Sequence, residues 1–207
     1  MKKVIPGLAI AFVVLGVVLR FAPHFPNFAP IAAIALFGGV YLNKKYALII
    51  PIVAMAISDY FIGFYDIKLM LGVYLSFVLV GVVGLIIKKK KNIFTVIGGS
   101  VLGSVLFFLI TNFSVWAFYN WYPHTLSGLS QCFLMAVPFF RNTLLGDLFY
   151  VAVLFGVYEL ITARARRKYL VIEKAQEKNI IGSILPREFE NRINKHQINE
   201  NVITKKY

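Results

Sequence analysis

Residues 68–91 read KLMLGVYLSFVLVGVVGLIIKKKK, and this stretch decides the fold. Between Lys68 and the run Lys88–Lys91 no residue carries a charge. A helix over 68–87 rises about 30 Å, the thickness of a bilayer's hydrocarbon core. An apolar segment of that length closed by a cluster of lysines is the pattern of a transmembrane helix whose basic end stays in the cytoplasm.

The same pattern extends in both directions. Six spans are predicted, over residues 4–20, 28–42, 46–63, 68–87, 94–118 and 138–162. The second is short, rising only ~22 Å, so it is expected to tilt into the bundle or to lie partly in the outer interface. Of the 207 residues 59% are hydrophobic and the mean hydropathy is +0.74, more than an ordinary soluble domain carries. Lys2 and Lys3 before an apolar run resemble a signal sequence, but Arg20 and Pro23 stand where a small-x-small cleavage site belongs. An uncleaved first helix is expected.

The net charge of +13 raises nucleic acid as a partner, and the placement of the charge argues against it. Of 22 lysines and arginines, 11 lie beyond Ala163 and most others flank apolar segments. Such bases orient helices and meet anionic headgroups, so the expected partner is the lipid bilayer and no nucleic acid. One side of the six-span layout collects Lys2, Lys3, Lys44, Lys45, Lys88 to Lys91, Arg164, Arg166, Arg167 and Lys168. The other collects Arg20, Lys68 and Arg141. Both termini are therefore expected inside.

The segment 131–162 is too long for one simple span, since 32 helical residues would rise ~48 Å. A short helix or re-entrant piece over 126–137 is predicted, then a break near Pro138, then helix 6. Non-helical backbone at membrane depth needs protein or water around it, so the break is expected to line a cavity. The fold class is thus all-α: a polytopic six-helix transmembrane bundle over 1–162, broken before its last helix, and a basic cytoplasmic tail over 163–207. That tail carries 11 bases and 5 acids and reads as a helical continuation with a loosely ordered end, or as a docking segment for a partner or the lipid surface.

The outer side gathers the unusual residues. TNFSVWAFYNWYPHTLSGL (111–129) concentrates Asn112, Trp116, Tyr119, Asn120, Trp121, Tyr122 and His124. An interfacial aromatic belt accounts for Trp121 and Tyr122. Asn112 and Trp116, neighbours one helical turn apart, suggest a polar-aromatic face for a small organic molecule. Asp59, Arg141 and Asp147 are predicted inside or near the membrane, where charges face a partner or a cavity. Thr143, Asp147, Tyr150 and Tyr158 share one helical stripe. A buried network of Asp59 or Asp147 with Arg20 or Arg141 is the structural alternative.

Small residues recur at four-residue spacing: Gly7 and Ala11, Ala29 and Ala33, Ala35 and Gly39, Gly99 and Gly103, Ser100 and Ser104. Most such pairs serve internal packing, and Gly7 with Ala11 is the best candidate for packing against a partner helix. Cys132 is the single cysteine, which excludes an intrachain disulfide and four-cysteine metal sites. His24 and His124 are too few for a metal centre, so neither a metal nor a cofactor is expected. No GxSxG, HExxH, P-loop or GxGxxG motif occurs.

Two pieces carry a family resemblance. NFAPIAAIALFGGVYL with ALIIPIVAMAISDYFIG, and TNFSVWAFYN through GVYEL, resemble an uncharacterised family of bacterial integral membrane proteins. More distantly the layout is similar to the substrate-binding S components of energy-coupling factor vitamin transporters. The resemblance implies a small molecule bound in the outward half of the bundle beneath a loop over 21–30. It also implies a small-residue face on helix 1, here Gly7 and Ala11, against a transmembrane coupling subunit served by cytoplasmic ATPases. The implied location is the bacterial inner membrane.

The leading expectation is a small-molecule binding protein rather than an enzyme. Its ligand residues would be His24, Asn27, Asp59, Asn112, Trp116, Tyr119, His124, Arg141, Asn142 and Asp147. The alternatives are an accessory membrane protein without a ligand, and a small enzyme on lipid headgroups using His24, His124 and Asp59 as acid–base groups. An outward cavity walled by helices 3, 5 and 6 would favour binding, and a closed network of outer charges would favour the accessory role.

Overall fold

The computed structural model describes residues 6–19, 21 and 28–184. Six α-helices follow one another: α1 (Pro6–Leu19), α2 (Ile31–Tyr41), α3 (Lys44–Ile62), α4 (Ile67–Ile87), α5 (Ile93–Phe118) and α6 (Leu126–Ile184). No strand occurs among the described residues. Arg20, His24, Asn27 and the tail beyond 184 lie outside them. The chain divides into two compact units, 1–159 and 160–207.

Helix ends follow local chemistry. Asp66 accepts the Lys68 N–H at 2.8 Å and starts α4. Asn92 and Thr95 form a reciprocal capping box at the start of α5. Gly63, at φ +114°, turns the chain out of α3, a backbone conformation that disfavours any side chain.

The first unit is built around α2. Every residue from Ala32 to Tyr41 is buried, and α1, α3, α4 and α5 all pack on it. Of the two placements expected for the short second helix, the structure shows the one inside the bundle. Eleven residues rise only ~16 Å, far less than a bilayer core, and protein rather than lipid surrounds them. The helix is wedged against α4 through glycine. A methyl group on Gly39 would sit 2.8 Å from the Gly84 Cα, and one on Gly84 would sit 2.5 Å from the Leu36 carbonyl oxygen. The pair Ala35/Gly39 therefore packs internally, as does Gly99/Gly103 against α4, Gly99 facing Ile87 and Val83 and Gly103 facing Val80. On the other side Phe37 meets Phe12, Phe155 and Tyr158 at ring distances of 5.7, 5.2 and 5.3 Å.

At the lysine end of the first unit, Lys88 donates to the Leu42 carbonyl oxygen that closes α2. Lys91 pairs with Glu159 and lies 4.5 Å from the centre of the Tyr41 ring, whose hydroxyl also donates to Glu159. These bases thus fasten α2, α4 and α6 together in addition to marking one end of the bundle.

The expected break before helix 6 does not occur, because α6 runs from Leu126 through Pro138 without interruption. Proline deletes one N–H and crowds the turn before it. Packing on both sides carries the helix past it: Phe108 of α5 meets Phe133 at 5.5 Å and Phe140 at 4.9 Å, so one ring grips α6 before and after Pro138. Proline survives in apolar helices where neighbours supply such support. Pro51 inside α3 is a second instance.

A few polar groups are buried within the apolar core, and many large apolar side chains lie on the surface. Ser58, Asp59, Ser76, Ser100, Ser104, Ser114 and Asp147 are buried, while Val14, Ile57, Leu75, Leu102 and Val157 are exposed. Ser76 and Ser114 return their hydroxyls to the carbonyl four residues earlier, which spares a buried donor from going unmet. Four helices (Lys44–Ile62, Ile67–Lys90, Ile93–Phe118 and Leu126–Ile180) are long and apolar enough to cross a membrane. In the second unit the helix is exposed on every side from Leu160 to Ile180 apart from Thr162 and Ala165.

Candidate functional site

A cavity of about 370 Å³ opens within the first unit, toward the end of the bundle away from Lys88–Lys91. The start of α2 forms one wall with Ala29, Ile31 and Ala32, whose two small side chains leave the space. Met55 and Ile62 of α3 form another, continued by Tyr65 in the loop that follows. Val73 and Phe77 of α4 and Phe107 of α5 close the apolar side, the two rings stacked at 5.5 Å. Thr143 and Asp147, one turn apart on α6, supply its polar wall.

Asp147 is the chemical centre of this space. Its residue is only 2% exposed, and Oδ2 accepts the Ser104 hydroxyl at 2.6 Å. Ser104 in turn sits on the buried face of α5 that the Ser100/Ser104 spacing marks. No lysine, arginine or histidine pairs with Asp147 among the described residues. Asp59, 1% exposed, accepts the Tyr74 hydroxyl at 2.8 Å. It lies on the same stripe of α3 as Met55 and Ile62, which wall the cavity.

The other sequence-derived candidates occupy different places. Asn112 donates its side-chain amide to the Phe108 carbonyl on its own helix at 2.8 Å. Its backbone carbonyl accepts the Cys132 thiol at 3.4 Å. The Trp116 indole donates to the Pro123 carbonyl at 3.0 Å, and its ring meets His124 edge-on at 5.7 Å. Tyr119 meets Trp121 at 5.1 Å, the two rings tilted. Hydrogen bonding with Tyr119, followed by the Lys68 N–H, holds the Asp66 carboxyl below the usual range. Desolvation and then the same bond raise the Tyr119 phenol. Arg141 is exposed and Asn142 half-buried. Gly7 and Ala11 are exposed, with nothing within 4 Å of a methyl group placed on Gly7.

His24 and Asn27 lie outside the described residues, and of the other eight predicted ligand residues Asp147 alone is part of the cavity wall. Tyr65, Phe77, Phe107 and Thr143 were not among them. Thr143 carried a usable signal, its stripe shared with Asp147. The two phenylalanines carried none, since apolar side chains facing a cavity and facing lipid look alike in a sequence. Among the described residues no group of three histidine, cysteine, aspartate or glutamate side chains is arranged to hold a metal.

The profile of a family described as a family of unknown function (DUF6580) matches residues 2–172. The chain belongs to this family. No curated protein and no solved structure matches it.

Proposed function

We propose that the chain is a membrane-embedded binding protein for a small molecule, with the cavity at Asp147 as its site. The observation that carries the reading is that one carboxylate, buried and without a cationic partner among the described residues, stands in the wall of a 370 Å³ space. That volume falls at the small end of the roughly 300–1,000 Å³ typical of small-molecule pockets. Charged groups inside apolar bundles usually serve such sites. The apolar surface supports a membrane location, and the basic ends support cytoplasmic termini in a bacterial inner membrane. The cavity would then open outward. With no nucleotide motif in the chain, inward transfer would need a coupling subunit with ATPases, and the open Gly7/Ala11 face on α1 is where it would dock.

Native mass spectrometry of the detergent-purified protein tests the reading. A retained metabolite is expected, and it should disappear in Phe107→Trp, which fills the cavity. Protein that is empty in every preparation, with the same thermal stability in that variant, would count decisively against a site.

One observation favours an accessory role instead. The outer aromatic cluster is closed on itself through Trp116–Pro123, Asn112–Phe108 and Asp66–Tyr119. Under that reading the cluster is a packed rim, and the cavity remains empty.

A further inference from the structure

We infer that the ligand of this cavity is a small monocation, an amine or amidinium group on an apolar or aromatic body. The inference rests on the binding reading and adds the sign of the charge. Its basis is the distribution of chemistry over the cavity wall. Among the described residues Asp147 contributes the only ionisable carboxylate there, and none of the described lining residues is basic. Oδ2 is engaged by Ser104, whereas Oδ1 has no hydrogen-bond partner among the described residues. A carboxylate in an apolar wall is costly unless a donor or a positive charge meets it.

The remaining wall says what else the ligand carries. Ala29, Ile31, Met55 and Val73 offer only apolar surface, and the stacked Phe77–Phe107 pair suits a flat or aliphatic body. Tyr65 and Thr143 add hydroxyl groups but no charge. A ligand anion would meet Asp147 with no basic side chain among the described lining residues to offset the repulsion. A neutral donor would meet Oδ1 but bring no charge opposite the carboxylate. A cation with a donor hydrogen satisfies that oxygen and places the opposite charge beside it, the combination that buried apolar surroundings reward most.

The test compares three probes of nearly one shape on the full chain in detergent: 2-phenylethylamine, 2-phenylethanol and 3-phenylpropanoate. Binding is read by isothermal calorimetry and by thermal shift. The amine should bind at least about tenfold more tightly than the alcohol, the range for a hydrogen bond to a charged group, and the anion more weakly still. Asp147→Asn should abolish the preference while leaving the alcohol's affinity within a factor of about two. The ranking on the unmodified protein stands by itself should that variant fail to fold. Equal or tighter binding of the alcohol or the anion overturns the charge assignment and leaves a binding protein of another class. No binding by any probe, together with empty protein in native mass spectrometry, overturns both.

Discussion

Asp147 depends on one hydroxyl. Ser104 is fully buried and bonds Oδ2 at 2.6 Å, and no other described side chain offers that oxygen a donor. Ser104→Ala leaves a buried acceptor unmet and should lower stability by about 1–3 kcal/mol, seen as a drop in the thermal midpoint. An unchanged midpoint would mean that water or an outer residue already serves the carboxylate. Asp66 and Tyr119 give a second residue-scale expectation, one that depends on pH. The Asp66 carboxyl is lowered, so its contribution is present above the ordinary carboxylate range and fades as pH falls through its folded value. The Tyr119 phenol is raised, so its contribution is present below about pH 10 and fades as pH rises through its folded value. The stability difference between the natural chain and Tyr119→Phe should be flat between about pH 5 and pH 9 and shrink at either end. A difference that grows toward acid would contradict the bond. At this scale the sequence was partly readable. Asp59 and Asp147 stood out as acids in apolar surroundings, and both are buried. Asn112 stood out equally, yet a mid-helix asparagine can always turn back to the carbonyl one turn earlier, which is what it does.

At the scale of elements, glycine decides how closely helices approach, and spacing alone does not say which glycines matter. Gly39 and Gly98 both interrupt apolar helices, but only Gly39 faces another backbone. Gly39→Ala would drive a methyl group to 2.8 Å from the Gly84 Cα, where no flexible side chain can move aside. It should separate α2 from α4 and cost several times the ~1 kcal/mol typical of a point change. Gly98→Ala meets nothing within 4 Å and should be neutral or gain about 0.5–1 kcal/mol from helix propensity. Thermal unfolding of the two variants side by side checks the contrast, and equal behaviour would refute the crossing. Pro138 shows the opposite limit of sequence reading. Its local effect is to break a helix, and a broken segment was the natural expectation. The grip of Phe108 on both Phe133 and Phe140 is a contact between distant parts of the chain, invisible to local rules.

For the whole molecule, the helix positions were legible because each apolar run ends in charges or turn residues, whereas the cavity was not, because five helices must be placed before their shared space exists. The arrangement in the membrane is testable with the chain's own chemistry. Cys132 is the single cysteine and is only 2% exposed, with its thiol turned to the Asn112 carbonyl, so the natural chain should label poorly with a membrane-impermeant maleimide. Single cysteines at exposed positions then report on each end. Phe64 lies in the loop between α3 and α4, beside the cavity residue Tyr65, and Lys89 lies in the basic turn after α4. Both are exposed, so access rather than burial will set their reactivity. If the basic ends are cytoplasmic, Phe64→Cys should label fully in intact cells and Lys89→Cys only after the membrane is opened. The reverse pattern would turn the cavity toward the cytoplasm, and with it the direction from which a ligand arrives. Equal labelling of both positions in intact cells would mean that α4 does not cross the bilayer. The lysines at 88–91 would then be left with only their packing role, Lys88 on the end of α2 and Lys91 on Glu159.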